Sequence, residues 1–144
     1  MSITTSVSSS ARPVSTSTLP VGTLLALARR GLEEAGDATT PGERYAAAHL
    51  AALRVAAAVL ACRARPLTGG SSSVARRRPT SAWVLLVAVA PELGEWAAFF
   101  AAGARKRAAA EAGLPSAVTA READDLVRDA EAFLVMVQTS VLTT

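Results

Sequence analysis

The chain has 144 residues, a formal net charge of +3 and 51% hydrophobic residues, with alanine prominent among them. This length is enough for one domain with a buried core, and an alanine-rich composition favours an all-α fold because alanine is the best helix former. A single cysteine, Cys62, excludes an internal disulfide, and a single histidine, His49, argues against a structural metal site. We therefore expect neither a metal nor another cofactor.

Charged residues are distributed unevenly along the chain. Residues 61–80 contain five arginines and no acidic residue, whereas residues 119–131 contain five acidic residues and two arginines. The first stretch can attract anions and the second cationic partners, although both patterns are also typical of a solvated surface. Ser81–Ala102 is apolar, but Pro91 and two glutamates interrupt it, so we expect no membrane span and a cytoplasmic protein.

The N-terminal part is predicted to contain a tail followed by one helix. Residues 1–18 are rich in serine and threonine and lack apolar periodicity, which predicts a disordered tail. A first helix is predicted over Leu19–Ala35, with Gly36 ending it. Apolar residues at helical spacing form its inner face, namely Leu24, Leu25, Ala28 and Leu32, widened by Leu27.

The second helix has the clearest start signal in the chain. Thr40 is placed as its N-cap, Pro41 occupies the first helical position, and Glu43 completes a capping box with Thr40. Pro66 ends the apolar run. Because this run is apolar on nearly every side, the helix is predicted to lie at the centre of a bundle, with Cys62 as a buried small hydrophobic residue.

A long connection separates this helix from a third helical region. Residues 66–80 are rich in glycine and serine and contain an arginine triplet, which predicts a flexible loop. The third region, Ser81–Ala112, is predicted to be capped by Ser81 and to be kinked or divided at Pro91. Its end is predicted at Gly113. Its bulky core residues are predicted to be Trp96, Phe99 and Phe100.

The fourth helix begins at a second capping box, formed by Thr119 and Glu122. Two ion pairs at i,i+4 spacing are predicted on its outer face, Arg121–Asp125 and Asp124–Arg128. Its inner stripe consists of Ala123, Leu126, Val127, Ala130, Phe133, Leu134 and Val137.

These elements together predict the fold class and the domain organisation. The fold class is all-α, and the architecture is an antiparallel four-helix up-and-down bundle over residues 19–142. The count becomes five helices if Pro91 divides the third region. No second domain is expected beyond the tail and this bundle.

Arg44 and His49 are the one pair of residues that the sequence offers for catalysis. An arginine can bind a phosphate and a histidine can move a proton from a ribose hydroxyl, so such a pair can cleave RNA without a metal. Five residues along a helix place two side chains roughly 140° apart, which the length of arginine or a second chain would have to bridge. The alternative is a histidine packed between helices and an arginine on the surface. Both interpretations stay open here.

Two basic clusters are candidates for nucleic-acid binding because phosphates attract cations. They consist of Arg76, Arg77 and Arg78 in the loop and of Arg105, Lys106 and Arg107 in the third region. Neither cluster is interleaved with aromatic residues on which bases would stack. Surface charge that favours solubility is the alternative interpretation.

Three segments carry a resemblance to a known family: GERYAAAHLAALRVAAAVLACRARP, SAWVLLVAVAPELGEWAAFFAAGARKRAAAEAG and READDLVRDAEAFL. They are similar to the small stand-alone HEPN-domain proteins of actinobacteria over about residues 19–142. The resemblance implies a four- or five-helix up-and-down bundle, commonly dimeric, that is associated with nucleotide or RNA binding. Active members of that family are metal-independent ribonucleases with an Arg-x4-6-His motif, whose spacing Arg44 and His49 satisfy.

These observations lead to three hypotheses on function. The first is a non-catalytic binding or regulatory module for RNA or nucleotides, acting as a homodimer. The second is a metal-independent ribonuclease in which Arg44 binds the phosphate and His49 acts as acid and base. The third is a protein–protein interaction bundle without a nucleic-acid role, in which the acidic fourth helix or the basic loop meets a protein partner.

Overall fold

The computed structural model describes residues 19–63 and 81–142, and most of these residues are helical. The elements are α1 (Val21–Asp37), α2 (Pro41–Arg63), α3 (Ala82–Val89), a 3-10 turn (Pro91–Leu93), α4 (Gly94–Ala102), α5 (Ala104–Glu111), α6 (Ala120–Met136) and a π-helical turn (Val137–Val141). The two described ranges contain no strand, so the predicted all-α helical bundle is confirmed. The predicted tail (1–18) and loop (66–80) lie outside the described residues.

Helices α1 and α2 form an antiparallel hairpin. Only residues 38–40 connect them, and such a short connection makes consecutive helices antiparallel neighbours. α1 begins and ends two residues later than predicted, so the prediction that Gly36 ends the helix is wrong. The helix continues to Asp37 because Gly36 does not adopt the positive φ with which a glycine ends a helix. Arg44, in the first turn of α2, donates hydrogen bonds to the Ala35 and Ala38 carbonyls at this end of α1.

Helix α2 lies at the centre of the bundle and contacts α1, α3, α5 and α6. Small side chains permit a close approach: a Cβ atom added to Gly31 of α1 would lie 3.4 Å from the Cβ atom of Ala51. Within the described ranges, α2 is the one helix long and apolar enough to cross a membrane, and half of its apolar window is buried inside the bundle. Packing against four neighbours accounts for its apolar composition.

The third helical region is divided at two places. α3 ends at Val89 and Pro91 begins the 3-10 turn, so the predicted break at Pro91 is confirmed. A second break, at Gly103 between α4 and α5, has no counterpart in the prediction. The region ends as predicted at Gly113, whose φ of +81° is a conformation that glycine adopts without steric cost.

The predicted N-terminal caps form to different extents. At α6 the full capping box is present: the Thr119 hydroxyl accepts from the Glu122 N–H and the Glu122 carboxylate accepts from the Thr119 N–H. At α2 the Thr40 hydroxyl accepts from the Glu43 N–H, but the Glu43 carboxylate accepts from the Thr39 hydroxyl instead. The predicted cap of α3 also forms, with the serine at position 81 accepting from the N–H two residues later.

One of the two predicted ion pairs on α6 is wrong. Arg121 and Asp125 do approach to 4.0 Å. Asp124, however, pairs with Arg44 of α2 at 2.6 Å, and Arg128 pairs with Asp125 at 3.5 Å. The tertiary contact with α2 therefore replaces the local pair, because a guanidinium already held by α1 lies beside this carboxylate.

Two predicted core residues lie on the surface instead. Cys62 is exposed because the buried part of α2 ends at Val59 and the last helical turn extends beyond the packed core. Phe99 is 47% exposed, whereas Phe100 is fully buried. Adjacent residues on a helix point about 100° apart, so only one of the two phenylalanines can face the core centre.

Candidate functional site

His49 lies inside a cluster of aromatic side chains, with 1% of its surface exposed. Tyr45, one turn earlier on α2, stacks its ring on the imidazole with the two centroids 6.4 Å apart. Trp83 of α3 and Phe100 of α4 meet the imidazole edge-on, with centroid distances of 6.1 and 6.3 Å. The histidine therefore links α2 to both halves of the region divided at Pro91.

One hydrogen bond determines which imidazole nitrogen carries the proton. Nε2 of His49 lies 2.8 Å from the carbonyl oxygen of Phe100. A carbonyl oxygen only accepts, so Nε2 is protonated and donates. Nδ1 is then left as an acceptor, and it is buried without a hydrogen-bond partner among the described residues.

The surroundings of His49 favour its neutral form. Burial lowers the pKa of the imidazole below the ordinary value near 6.5, because desolvation penalises the charged ring. The hydrogen bond to Phe100 opposes this shift, Arg107 lowers the pKa further, and Glu111 raises it. The stability gained from burying a neutral ring is complete above the pKa of the unfolded chain and is lost as the pH falls through the lower pKa of the folded protein.

The break at Gly103 permits the close approach of α2 to α4. The Phe100 carbonyl accepts from the Gly103 N–H at 3.0 Å as well as from His49. A Cβ atom at position 103 would lie 2.6 Å from the Tyr45 hydroxyl oxygen and 3.5 Å from Cδ2 of His49. Glycine is required here by the contact with these two rings rather than by its backbone angles.

The Arg44 side chain joins three helices. Its Nε donates to the Ala35 carbonyl at 3.1 Å and its Nη2 to the Ala38 carbonyl at 3.2 Å, at the C-terminal end of α1. Its Nη1 donates to Oδ1 of Asp124 on α6 at 2.6 Å. The guanidinium thus gives the Ala35 carbonyl a second donor besides the Ala38 N–H, and it also donates to the carbonyl of the C-cap residue.

The structure does not gather Arg44 and His49 around a common group. Arg44 is bonded to α1 and α6, whereas His49 is bonded to α4 within the aromatic cluster. The arginine whose charge acts on His49 is Arg107 of α5. Sequence spacing gave no signal for that proximity, because it arises from the packing of α5 on α2. The catalytic role of Arg44 and His49 stays a prediction.

Neither Arg44 nor His49 lines the main surface depressions. The largest, of about 750 Å³, lies between the start of α2 and the end of α5. Two others, of about 320 and 260 Å³, run along α4 and α6 and share Phe99 and Asp129. In the described ranges, no three His, Cys, Asp or Glu side chains are grouped as a metal ion would require.

Of the two predicted basic clusters, the structure describes only the second. The triplet Arg76–Arg78 lies outside the described residues. In the second cluster, Lys106 pairs with Glu122 at 2.6 Å, which raises the pKa of the lysine. Arg107 pairs with a glutamate one turn later at 3.7 Å. Arg105 is exposed and forms no ion pair within the described part of the chain, so it is the cation of this cluster most open to a ligand.

Replacing Gly103 by alanine is expected to lower the free energy of unfolding by about 1–3 kcal/mol, a usual cost of adding a methyl group to a packed site. The Tyr45 hydroxyl is the atom nearest to the added Cβ. The double variant Gly103→Ala/Tyr45→Phe is therefore expected to regain most of the loss. Urea unfolding of the wild type, Tyr45→Phe and the two Gly103 variants measures both effects.

Gly22→Ala is the matched control for this substitution. Gly22 lies in α1, and nothing is found within 4 Å of an added Cβ. Because alanine has the higher helix propensity, this variant is expected to keep or raise the stability by up to about 1 kcal/mol. Wild-type stability of Gly103→Ala, or no recovery in the double variant, would contradict the close approach described above.

Comparison with known protein families agrees with the resemblance found in the sequence. One family model, described as SAV_6107-like HEPN, matches residues 35–138, from the end of α1 to the turn that follows α6. Searches of curated proteins and of solved structures find no match. Because the family match covers more than half of the chain, the protein belongs to the SAV_6107-like HEPN family.

Proposed function

We propose that this HEPN protein binds RNA or nucleotides and does not cleave RNA. The observation that carries this proposal is the position of His49, which is buried in the core and donates its Nε2 proton to the Phe100 carbonyl. It is the only histidine in the chain, so every histidine-dependent mechanism would have to use it. This position supports the binding hypothesis over the ribonuclease hypothesis.

The positions of His49 and Arg44 argue against catalysis. A general base has to lie within hydrogen-bond reach of the proton that it removes. His49 has 1% of its surface exposed and lines none of the three depressions described above. Arg44 already donates a hydrogen bond from each of its three guanidinium nitrogens. Both side chains thus contact other parts of the bundle and are not free to bind a substrate.

Two observations support RNA or nucleotides as the ligand. The family to which the chain belongs is associated with nucleotide or RNA binding, as the sequence resemblance implies. The chain also has a formal net charge of +3, which favours association with polyanions. Arg105 is exposed and without an ion pair in the described ranges, so it is the first residue to test.

A single-stranded RNA incubated with the protein in EDTA is expected to be bound but not shortened. Binding should weaken as the salt concentration rises, because phosphate contacts release counterions. Charge reversal by Arg105→Glu is expected to lower the affinity about three- to tenfold. Fluorescence anisotropy measures the binding, and denaturing gel electrophoresis of the same samples measures cleavage.

Arg121→Glu provides the matched control for binding, since it reverses the same charge on the exposed surface of α6. It should change the affinity less than Arg105→Glu does. For cleavage the control is His49→Gln, which keeps a donor toward the Phe100 carbonyl. If the wild type cleaves RNA and His49→Gln does not, the ribonuclease hypothesis is correct and our proposal is wrong.

We further propose that the protein acts as a homodimer through α3. Every residue of this helix is apolar, and three large side chains are exposed: Val84 at 61%, Leu85 at 43% and Val87 at 42%. A two-fold interface places the same patch on both chains, so an apolar face can be covered by its own copy. Burial of these side chains would then remove apolar surface from water.

Light scattering coupled to gel filtration is expected to give the mass of two chains for the wild type. Val84→Asp should give the mass of one chain, because a buried carboxylate without a partner disfavours association. Leu114→Asp is the control, since Leu114 is 57% exposed on the connection between α5 and α6. A monomeric wild type, or equal dissociation by both variants, would refute an α3 interface.

A further inference from the structure

The two depressions along α4 and α6 form one groove of unusual composition. They meet at Phe99 and Asp129, which line both. Glu95 and Trp96 extend the surface along α4, and Asp125 and Leu126 extend it along α6. Its far end is lined by Tyr45 and by the ion pair between Lys106 and Glu122. We call this surface the α4–α6 groove. It combines aromatic rings with carboxylates in a chain whose net charge is positive.

The aromatic rings of the α4–α6 groove are held in place by the core. Phe99 is 47% exposed, and its ring packs at 73° against that of Phe100 with centroids 5.0 Å apart. Trp96 stacks on Phe133 at 5.2 Å and on Phe100 at 6.1 Å. A ligand therefore meets rings that are already ordered, which lowers the entropy cost of binding.

The carboxylates of the groove are incompletely neutralised. Glu95 and Asp129 form no ion pair within the described part of the chain. Asp125 is shared between Arg128 at 3.5 Å and Arg121 at 4.0 Å. Burial raises the pKa of Asp129 and the charge of Asp125 raises it further, against the opposing effect of Arg128. A cation beside Asp129 would stabilise its charged form and so offset the effects of burial and of the Asp125 charge.

We propose that the α4–α6 groove binds an arginine-bearing peptide segment of a partner protein. A guanidinium is a planar cation that stacks on aromatic faces and donates paired hydrogen bonds to carboxylates. Phe99 and Trp96 supply the faces, and Glu95 and Asp129 supply the acceptors. This peptide partner is additional to the RNA or nucleotide proposed above and does not depend on it.

Shape and charge both favour a peptide over other ligands. The groove is open and continues across two depressions of about 320 and 260 Å³, so it suits an extended chain better than an enclosed small molecule. Its four carboxylates outnumber its one lysine, Lys106, which is already paired with Glu122, so the groove repels phosphate groups and RNA is disfavoured on this face. An arginine side chain is the natural group for a surface that is both aromatic and acidic.

Titration calorimetry at low ionic strength with the peptide Gly-Arg-Gly-Arg-Gly tests the proposal. The same peptide with citrulline in place of arginine keeps the shape and loses the charge, and it is expected to bind at least about tenfold more weakly. The double variant Glu95→Gln/Asp129→Asn is expected to weaken the arginine peptide about tenfold. Phe99→Leu, which keeps an apolar side chain but removes the ring, should weaken it about two- to fivefold.

Glu131→Gln is the matched control for the carboxylate variants. Glu131 is exposed on α6 and lines neither depression, so its substitution should leave peptide affinity unchanged. Absence of binding, equal affinity for the arginine and citrulline peptides, or an equal loss in Glu131→Gln would each overturn the proposal. These results are independent of RNA binding, because none of the variants alters Arg105, Arg44 or His49.

Discussion

The hydrogen bond from His49 to the Phe100 carbonyl is the interaction on which the arrangement of this bundle depends. It requires α2 to approach the end of α4, and that approach requires a residue without a side chain at Gly103. Burial among the surrounding rings favours the neutral imidazole by excluding water, against the opposing effect of the hydrogen bond itself. The single histidine of a HEPN-family bundle is thus used to pack two helices together, and this use is the basis for our proposal of a binding role rather than a catalytic one.

Two arginines near the ends of α2 also connect this helix to its neighbours by donating hydrogen bonds to backbone carbonyls. Arg44 donates to carbonyl groups at the end of α1, and Arg63 donates to the Val89 carbonyl at the end of α3 at 3.3 Å. Arg63 also pairs with Glu92 at 2.6 Å, which lowers the pKa of that carboxyl. The C-terminal end of a helix carries partial negative charge, so a guanidinium suits it as well as it suits a phosphate. The Arg-x4-6-His spacing alone therefore cannot distinguish an arginine that binds a helix end from one that binds a phosphate.

Local signals in the sequence predicted much of the fold. The box at Thr119 and the break at Pro91 depend on neighbouring residues alone, and both appear in the structure. The break at Gly103, the charge of Arg107 near His49 and the α4–α6 groove depend on which helix packs against which. Such contacts join residues far apart in the chain, so periodicity and spacing gave no access to them.

The protonation state of His49 in the folded protein is the most direct test of this account. Imidazole nitrogen-15 NMR between about pH 8 and about pH 5 reports which nitrogen carries the proton and where the second proton binds. We expect the proton on Nε2 and a pKa below the ordinary value of about 6.5, unchanged when RNA is added. A proton on Nδ1, a pKa at or above about 6.5, or a shift of the imidazole signals on RNA binding would contradict a structural role for His49.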